Sequence, residues 1–130
     1  MNMKAYTDIE QSNKLAEILP LESADMHYAT WTILDGEFIV SPNQGSTIKS
    51  LQEDYGNQII SCWSLAALLE LLPKEINVLG TIYSIDIHAN NKKWFIDYKC
   101  NNEEFVGVYS SSLVDAAFEM ITKLKENNLL

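Results

Sequence analysis

The sequence predicts an α+β fold: a single two-layer domain in which an antiparallel β-meander of three or more strands carries helices on one face. Three observations lead there. Residues 81–109 alternate apolar and polar residues in three runs, "TIYSIDIHA", "KKWFIDYKC" and "EEFVGVYSS". The runs are separated by Asn90-Asn91 and Asn101-Asn102, and asparagine tolerates the left-handed backbone of two-residue hairpin turns. Finally, the segment after Ser111 changes to a helical period, with Leu113, Ala116, Ala117, Met120, Ile121 and Leu124 on one stripe.

At the N-terminal end, Thr7 and Glu10 have capping-box spacing, and Ile9, Leu15, Ile18 and Leu19 follow at near-helical intervals until Pro20. A first helix over about residues 8–19 is expected. "MHYATWTI" and "EFIV" read as a hairpin closed by Asp35-Gly36, and residues 41–58 as a long polar loop with one helical turn at Ile48 to Tyr55. A second helix is expected from Cys62 or Trp63 to Leu72, capped by Ser61 or Ser64 and apolar nearly all round.

In the meander, pairing Ala89 with Lys92 sets Ile87 opposite Trp94, Ile85 opposite Ile96 and Tyr83 opposite Tyr98. Pairing Cys100 with Glu103 sets Tyr98 opposite Phe105, Ile96 opposite Gly107 and Trp94 opposite Tyr109. All these residues then share one face, and a one-residue slip would scatter them. The last helix should begin at Ser111 or Ser112, hold Asp115 in its first turn and lay its stripe on the Trp94 face.

Composition narrows function. The 130 residues are 47% hydrophobic and 21% charged, as expected of one globular domain spanning residues 1–130. A net charge of −9 disfavours direct binding to phosphate backbones. The N-terminus lacks the apolar core of a signal peptide, and the apolar stretch Leu65 to Leu72 falls far short of a span of about 20 residues. These features describe a soluble cytoplasmic protein with no membrane association. Cys62 and Cys100 match no zinc spacing and are expected as reduced thiols. There is no glycine-rich phosphate loop, nucleophile elbow or paired-histidine zinc helix, so no cofactor is implied.

Cys62 at a helix start would be the one nucleophile candidate, with His27 or His88 as its base. Its apolar neighbours favour a buried, inert thiol. Asp86, His88 and Asp97 share the outer sheet face and have the chemistry of a metal or acid–base cluster. Mixed charges on a pleated face are more often its solvated side, with Lys93 and Lys99 as cross-strand partners, and no metal is expected. Phe95, Val106 and Val108 on that face would form an apolar patch, either an interface or a surface covered by residues 21–60 with Trp31, Ile33, Phe38 and Ile39. That patch points to a non-catalytic protein-interaction module with an unidentified protein partner or a second copy of the chain. Two other readings are an acidic inhibitor or nucleic-acid mimic, if Glu53, Asp54, Glu103 and Glu104 cluster, and a thiol enzyme using Cys62.

"KLAEILPLESADMHY", "CWSLAALLELLPK", "WFIDY" and "SLVDAAFEMITKLKENNLL", in this order, resemble a family of small uncharacterised proteins of gut bacteria of the Bacteroides group, their phages and integrated mobile elements. The resemblance covers most of the chain outside residues 35–60. It implies a cytoplasmic setting and a mobile-element origin, and transfers no catalytic residue.

Overall fold

The computed structural model describes residues 4–30, 37–45 and 47–130. The Asp35-Gly36 turn, Trp31 and Ile33 lie outside the described residues. The chain groups into two compact units, Tyr6–Ala67 and Leu68–Leu130, the latter together with the described part of Met1–Ala5. Both mix helices with antiparallel strands, as an α+β fold requires.

The first unit contains α1 (Ile9–Ile18), β1 (Met26–Thr30), β2 (Phe38–Pro42), α2 (Ile48–Tyr55) and β3 (Ile59–Cys62). Its sheet has the order β2-β1-β3. The hairpin partners expected from the sequence pair with Tyr28 opposite Val40 and Ala29 opposite Ile39. The helical turn expected at Ile48 to Tyr55 is α2, capped by the Thr47 side chain accepting from the Ser50 amide at 3.0 Å. α1 is capped one residue later than expected. Asp8 accepts from the Gln11 amide at 2.7 Å while the Gln11 side chain accepts from the Asp8 amide at 3.1 Å.

Thr7 does not serve as that cap; it is bonded to Trp63, the residue after β3. Its amide donates to the Trp63 carbonyl at 3.0 Å, and the Trp63 amide donates to Thr7 Oγ1 at 3.2 Å. The Tyr28 hydroxyl adds a 2.7 Å bond to the Thr7 carbonyl. Thr7 is wholly buried, so these bonds hold the segment before α1 beside β1 and β3 without competition from water.

Residues 59–62 form a strand, β3, where the sequence puts a helix cap or start at Ser61 and Cys62 and assigns Ile59 and Ile60 to no element. Ile60 pairs with Tyr28 and Cys62 with Met26. Ile59, Ile60, Ser61 and Cys62 form a short β-compatible run against the open edge of β1. The helix that follows, α3 (Leu65–Leu71), is therefore shorter than expected, and Ser64 caps it through the Ala67 amide at 3.2 Å. Its apolar circumference is only partly used: Leu68 is its sole wholly buried residue and Ala66 is exposed.

The second unit is the meander, β4 (Glu75–Val78), β5 (Thr81–Asn90), β6 (Lys93–Cys100) and β7 (Glu103–Ser110), in sequential order, followed by α4 (Leu113–Glu126). Short β4 adds a strand that its four residues were too few to announce. The connecting turns have paired left-handed residues: Leu79-Gly80, Asn91-Lys92 and Asn101-Asn102. The β6–β7 turn is the expected one. The β5–β6 turn lies one residue further along, so Asn90 pairs with Lys93, Ile87 with Ile96 and Ile85 with Tyr98. This offset of two in pairing preserves each residue's face, which is why the apolar pattern could not distinguish the alternatives.

In β7 the difference is larger. Cys100 pairs with Glu103 and Lys99 with Glu104 as expected, but Tyr98 pairs with Val106, leaving Phe105 as an extra residue in a bulge. Beyond it every side chain changes face. Val106 and Val108 join Ile96 and Tyr98, and Val108 is buried; Gly107 and Tyr109 turn to the outer face. Phe105 contacts Tyr83, 5.2 Å between ring centroids. The unbulged register would have sent both valines outward. Burying Val108 contributes about 1.5–3 kcal/mol, and half-buried Val106 adds to it, against a net ~0.5–1.5 kcal/mol for a disrupted ladder bond.

α4 packs on β6 and β7. Ser112 caps it by accepting from the Asp115 amide at 3.3 Å, and Lys4 pairs with Asp115 at 2.8 Å. The buried stripe is Val114, Ala116, Ala117, Met120, Ile121 and Leu124; Val114 replaces the expected Leu113.

The bulge makes adjacent positions behave oppositely. Val108→Asp should cost about 3 kcal/mol or more, by placing a charge under α4. Tyr109→Asp should cost less than about 1 kcal/mol. Urea unfolding of the two variants measures the difference, and equal losses would indicate the unbulged register.

Candidate functional site

The outer face of the meander carries Asp86 and His88 from β5, Lys93, Phe95, Asp97 and Lys99 from β6, and Glu104, Gly107 and Tyr109 from β7. The apolar patch expected here, Phe95 with Val106 and Val108, does not form. The bulge moves both valines to the α4 side and sets Tyr109 opposite Phe95.

An aromatic row takes its place. The His88 and Phe95 rings are stacked with centroids 5.1 Å apart and planes 4° from parallel. Phe95 and Tyr109 lie 5.7 Å apart. Lys93 Nζ sits 4.8 Å from the centre of the Tyr109 ring, within cation–π range. The row crosses three strands, and Tyr109 is 58% exposed.

Beside the row is a polar cluster. His88 Nδ1 and Asp86 Oδ2 are 2.7 Å apart, and Asp97 Oδ2 lies 3.7 Å from Lys99 Nζ. Asp86, His88 and Asp97 each present a ligand atom, all within 4.8 Å of one another. Gly107 faces Asp97 across the ladder, and the Glu104 side chain occupies the space a β-carbon at Gly107 would need. A glycine within a strand thus allows a second chain segment to approach closely.

Asp97 departs from the expected solvated face. Its side chain is only 6% exposed, and Oδ1 is buried with no hydrogen-bond partner among the described residues. Burial pushes its carboxyl above the usual range, opposed by Lys99 and reinforced by Asp86 and Glu104. Alternation identified the face from the sequence; nothing in it distinguished Asp97 from a surface carboxylate. Tyr109 was missed for another reason. Gly107 was the available sign of an irregularity that would reverse the strand's far half.

Cys62 occupies a different environment. It ends β3 rather than opening a helix and is 0% exposed. Its sulfur lies 3.6 Å from Thr7 Oγ1 and 3.5 Å from the Thr7 carbonyl. Desolvation raises the thiol pKa. His27 is one residue beyond Cys62's pairing partner Met26, hence on the other side of the sheet, and its Nδ1 is 2.8 Å from Asn43 Oδ1. His88 is engaged with Asp86. Cys100, at the end of β6, is half-buried, and both cysteines are free thiols. Of the acids considered for mimicry, Glu103 and Glu104 face opposite sides of the sheet, paired with Cys100 and Lys99.

No family model, curated protein or solved structure matches the chain. Among the described residues no helix is long and apolar enough to cross a membrane.

In a Cys100→Ser background, Cys62 should resist alkylation at neutral pH and react once denaturant is added; rapid native labelling would contradict its burial. Asp97 has a testable pH signature in chelator-treated protein. Folding raises its carboxyl pKa, so ionisation costs stability as pH rises through the folded value. Asp97→Asn should therefore melt higher than the parent at neutral pH. The gap should close below the unfolded carboxylate range, where both states are protonated. A gap independent of pH would assign the effect to packing.

Proposed function

We propose that the protein is a non-catalytic protein-interaction module whose contact surface is the outer face of the meander, centred on Phe95 and Tyr109. The carrying observation is the aromatic row His88–Phe95–Tyr109, ending in a tyrosine that is more than half exposed. Tyrosine supplies a large contact area at low conformational cost and a hydroxyl at its rim, and it is enriched among residues that dominate binding energy.

The partner's chemistry follows from the border of that row. Asp86 and Glu104 are exposed beside it, and the chain has a net charge of −9. A protein surface presenting arginine or lysine is complementary to both the carboxylates and the ring faces. A second copy would bring like net charge against like, which disfavours association. The cytoplasmic, mobile-element setting implied by the family resemblance is part of this proposal. The wholly buried, raised-pKa Cys62 and the opposed directions of Glu103 and Glu104 make the thiol-enzyme and nucleic-acid-mimic readings the weaker ones.

Selection of a random peptide display library on the purified protein tests this. Enriched peptides should be rich in arginine or lysine, and Tyr109→Lys should weaken their binding about 10-fold or more. Peptides insensitive to Tyr109→Lys and Phe95→Lys would place the contact elsewhere. Light scattering should show a monomer; a dimer separated by Tyr109→Lys would instead assign the face to self-association.

A further inference from the structure

The outer face buries one carboxylate more deeply than its surroundings account for. Asp97 sits mid-strand, its side chain nine-tenths buried, with Oδ2 loosely paired to Lys99 and Oδ1 without a partner among the described residues. A buried, unpaired carboxylate oxygen carries a desolvation cost that a bound cation would offset. The neighbouring groups are cation ligands. Asp86, His88 and Asp97 bring ligand atoms within 4.8 Å of one another, and Glu104 folds over Gly107, the residue opposite Asp97.

We propose that Asp86, His88 and Asp97 bind one divalent transition-metal cation. This goes beyond the interaction role and does not depend on it. The donor set defines the class of ion. An imidazole nitrogen with carboxylate oxygens suits zinc and its first-row neighbours, whereas calcium and magnesium favour oxygen donors alone. Zinc is held about 2.0–2.2 Å from nitrogen and oxygen ligands, so adjustments of side-chain torsions bring the three atoms to one ion. The sign of the charge agrees: the cluster holds two carboxyl groups, Asp86 and Asp97, beside the Lys99 ammonium.

Three features preorganise the ligands. Asp86 and His88 are two apart on one strand, so both project outward. The 2.7 Å contact between His88 Nδ1 and Asp86 Oδ2 holds these two ligand side chains side by side. Asp97 is Asp86's direct cross-strand partner, which joins the third ligand to the first two through the β5–β6 ladder.

The test is calorimetric titration of the chelator-treated chain with zinc chloride, with magnesium and calcium chloride as comparisons. Expected are saturable binding of one zinc per chain, a raised melting temperature on zinc addition, and much weaker binding of magnesium and calcium. His88→Gln and Asp97→Asn should each weaken zinc binding about 10-fold or more. The melting temperature of Asp97→Asn without metal, measured alongside, separates a loss of binding from unfolding. Lys99→Gln removes a competing cation and should bind zinc at least as tightly as the parent. The proposal is overturned by absence of saturable zinc binding, by undiminished affinity in Asp97→Asn, or by a loss in Lys99→Gln equal to that in Asp97→Asn.

Discussion

One unpaired residue in β7 sets the character of both faces of the meander. With Phe105 bulged out of the ladder, Val106 and Val108 turn towards α4, while Gly107 and Tyr109 turn outward. The driving force is hydrophobic: Val108 becomes buried and Val106 half-buried for the disruption of one ladder position. The outer face is a by-product of that gain. It acquires an exposed tyrosine beside Phe95 and, at Gly107, a site without a side chain into which Glu104 folds. Glu104 and Asp97, both carboxylates, are thereby brought near each other by packing on the opposite side of the sheet.

The buried polar groups of the first unit are largely gathered into networks, Thr30 Oγ1 being left without a partner among the described residues. There, Thr7 gathers bonds from Trp63, Tyr28, Ser12 and Cys62, so a wholly buried threonine has its backbone and hydroxyl engaged. Trp63 Nε1 likewise donates to Ser23 Oγ at 2.9 Å, and Asp25 accepts from the Ser64 amide at 2.9 Å and from its hydroxyl. Such satisfied networks rigidify a core. In the second unit the corresponding buried group, Asp97, is left half-satisfied. Stability alone does not explain it, since an apolar or amide residue at this position would avoid the cost. Natural proteins retain local costs of this kind mainly where a site requires them.

The sequence was most informative where one period ran long. The stripe of α4, the three long meander strands and the Asn101-Asn102 turn all follow from alternation or helical spacing. It was less informative where segments were short. β3 and β4 have four residues each, too few to show a period, and the end of β3 at Cys62 reads from the sequence as the start of the helix after it. The shift of the capping box from Thr7 to Asp8 reflects tertiary bonds that local spacing does not encode. The most consequential error came from a single residue. An unbulged β7 accounts for every turn residue, and the competing burial of Val108, with Val106 half-buried beside it, breaks the register. The candidate patch inherited that error in two of its three members, and Phe95 alone kept its place.

Every strand of the four-stranded sheet hydrogen-bonds to its neighbour in sequence, through turns of two residues. The chain need close only the shortest loops to assemble it, and loop closure is the main entropic barrier to forming a sheet. β1 and β3, by contrast, meet only after the whole of β2 and α2 has been spanned. The zipping order of the meander is thus written into its connectivity, and its turn residues govern the rate at which the outer face is assembled.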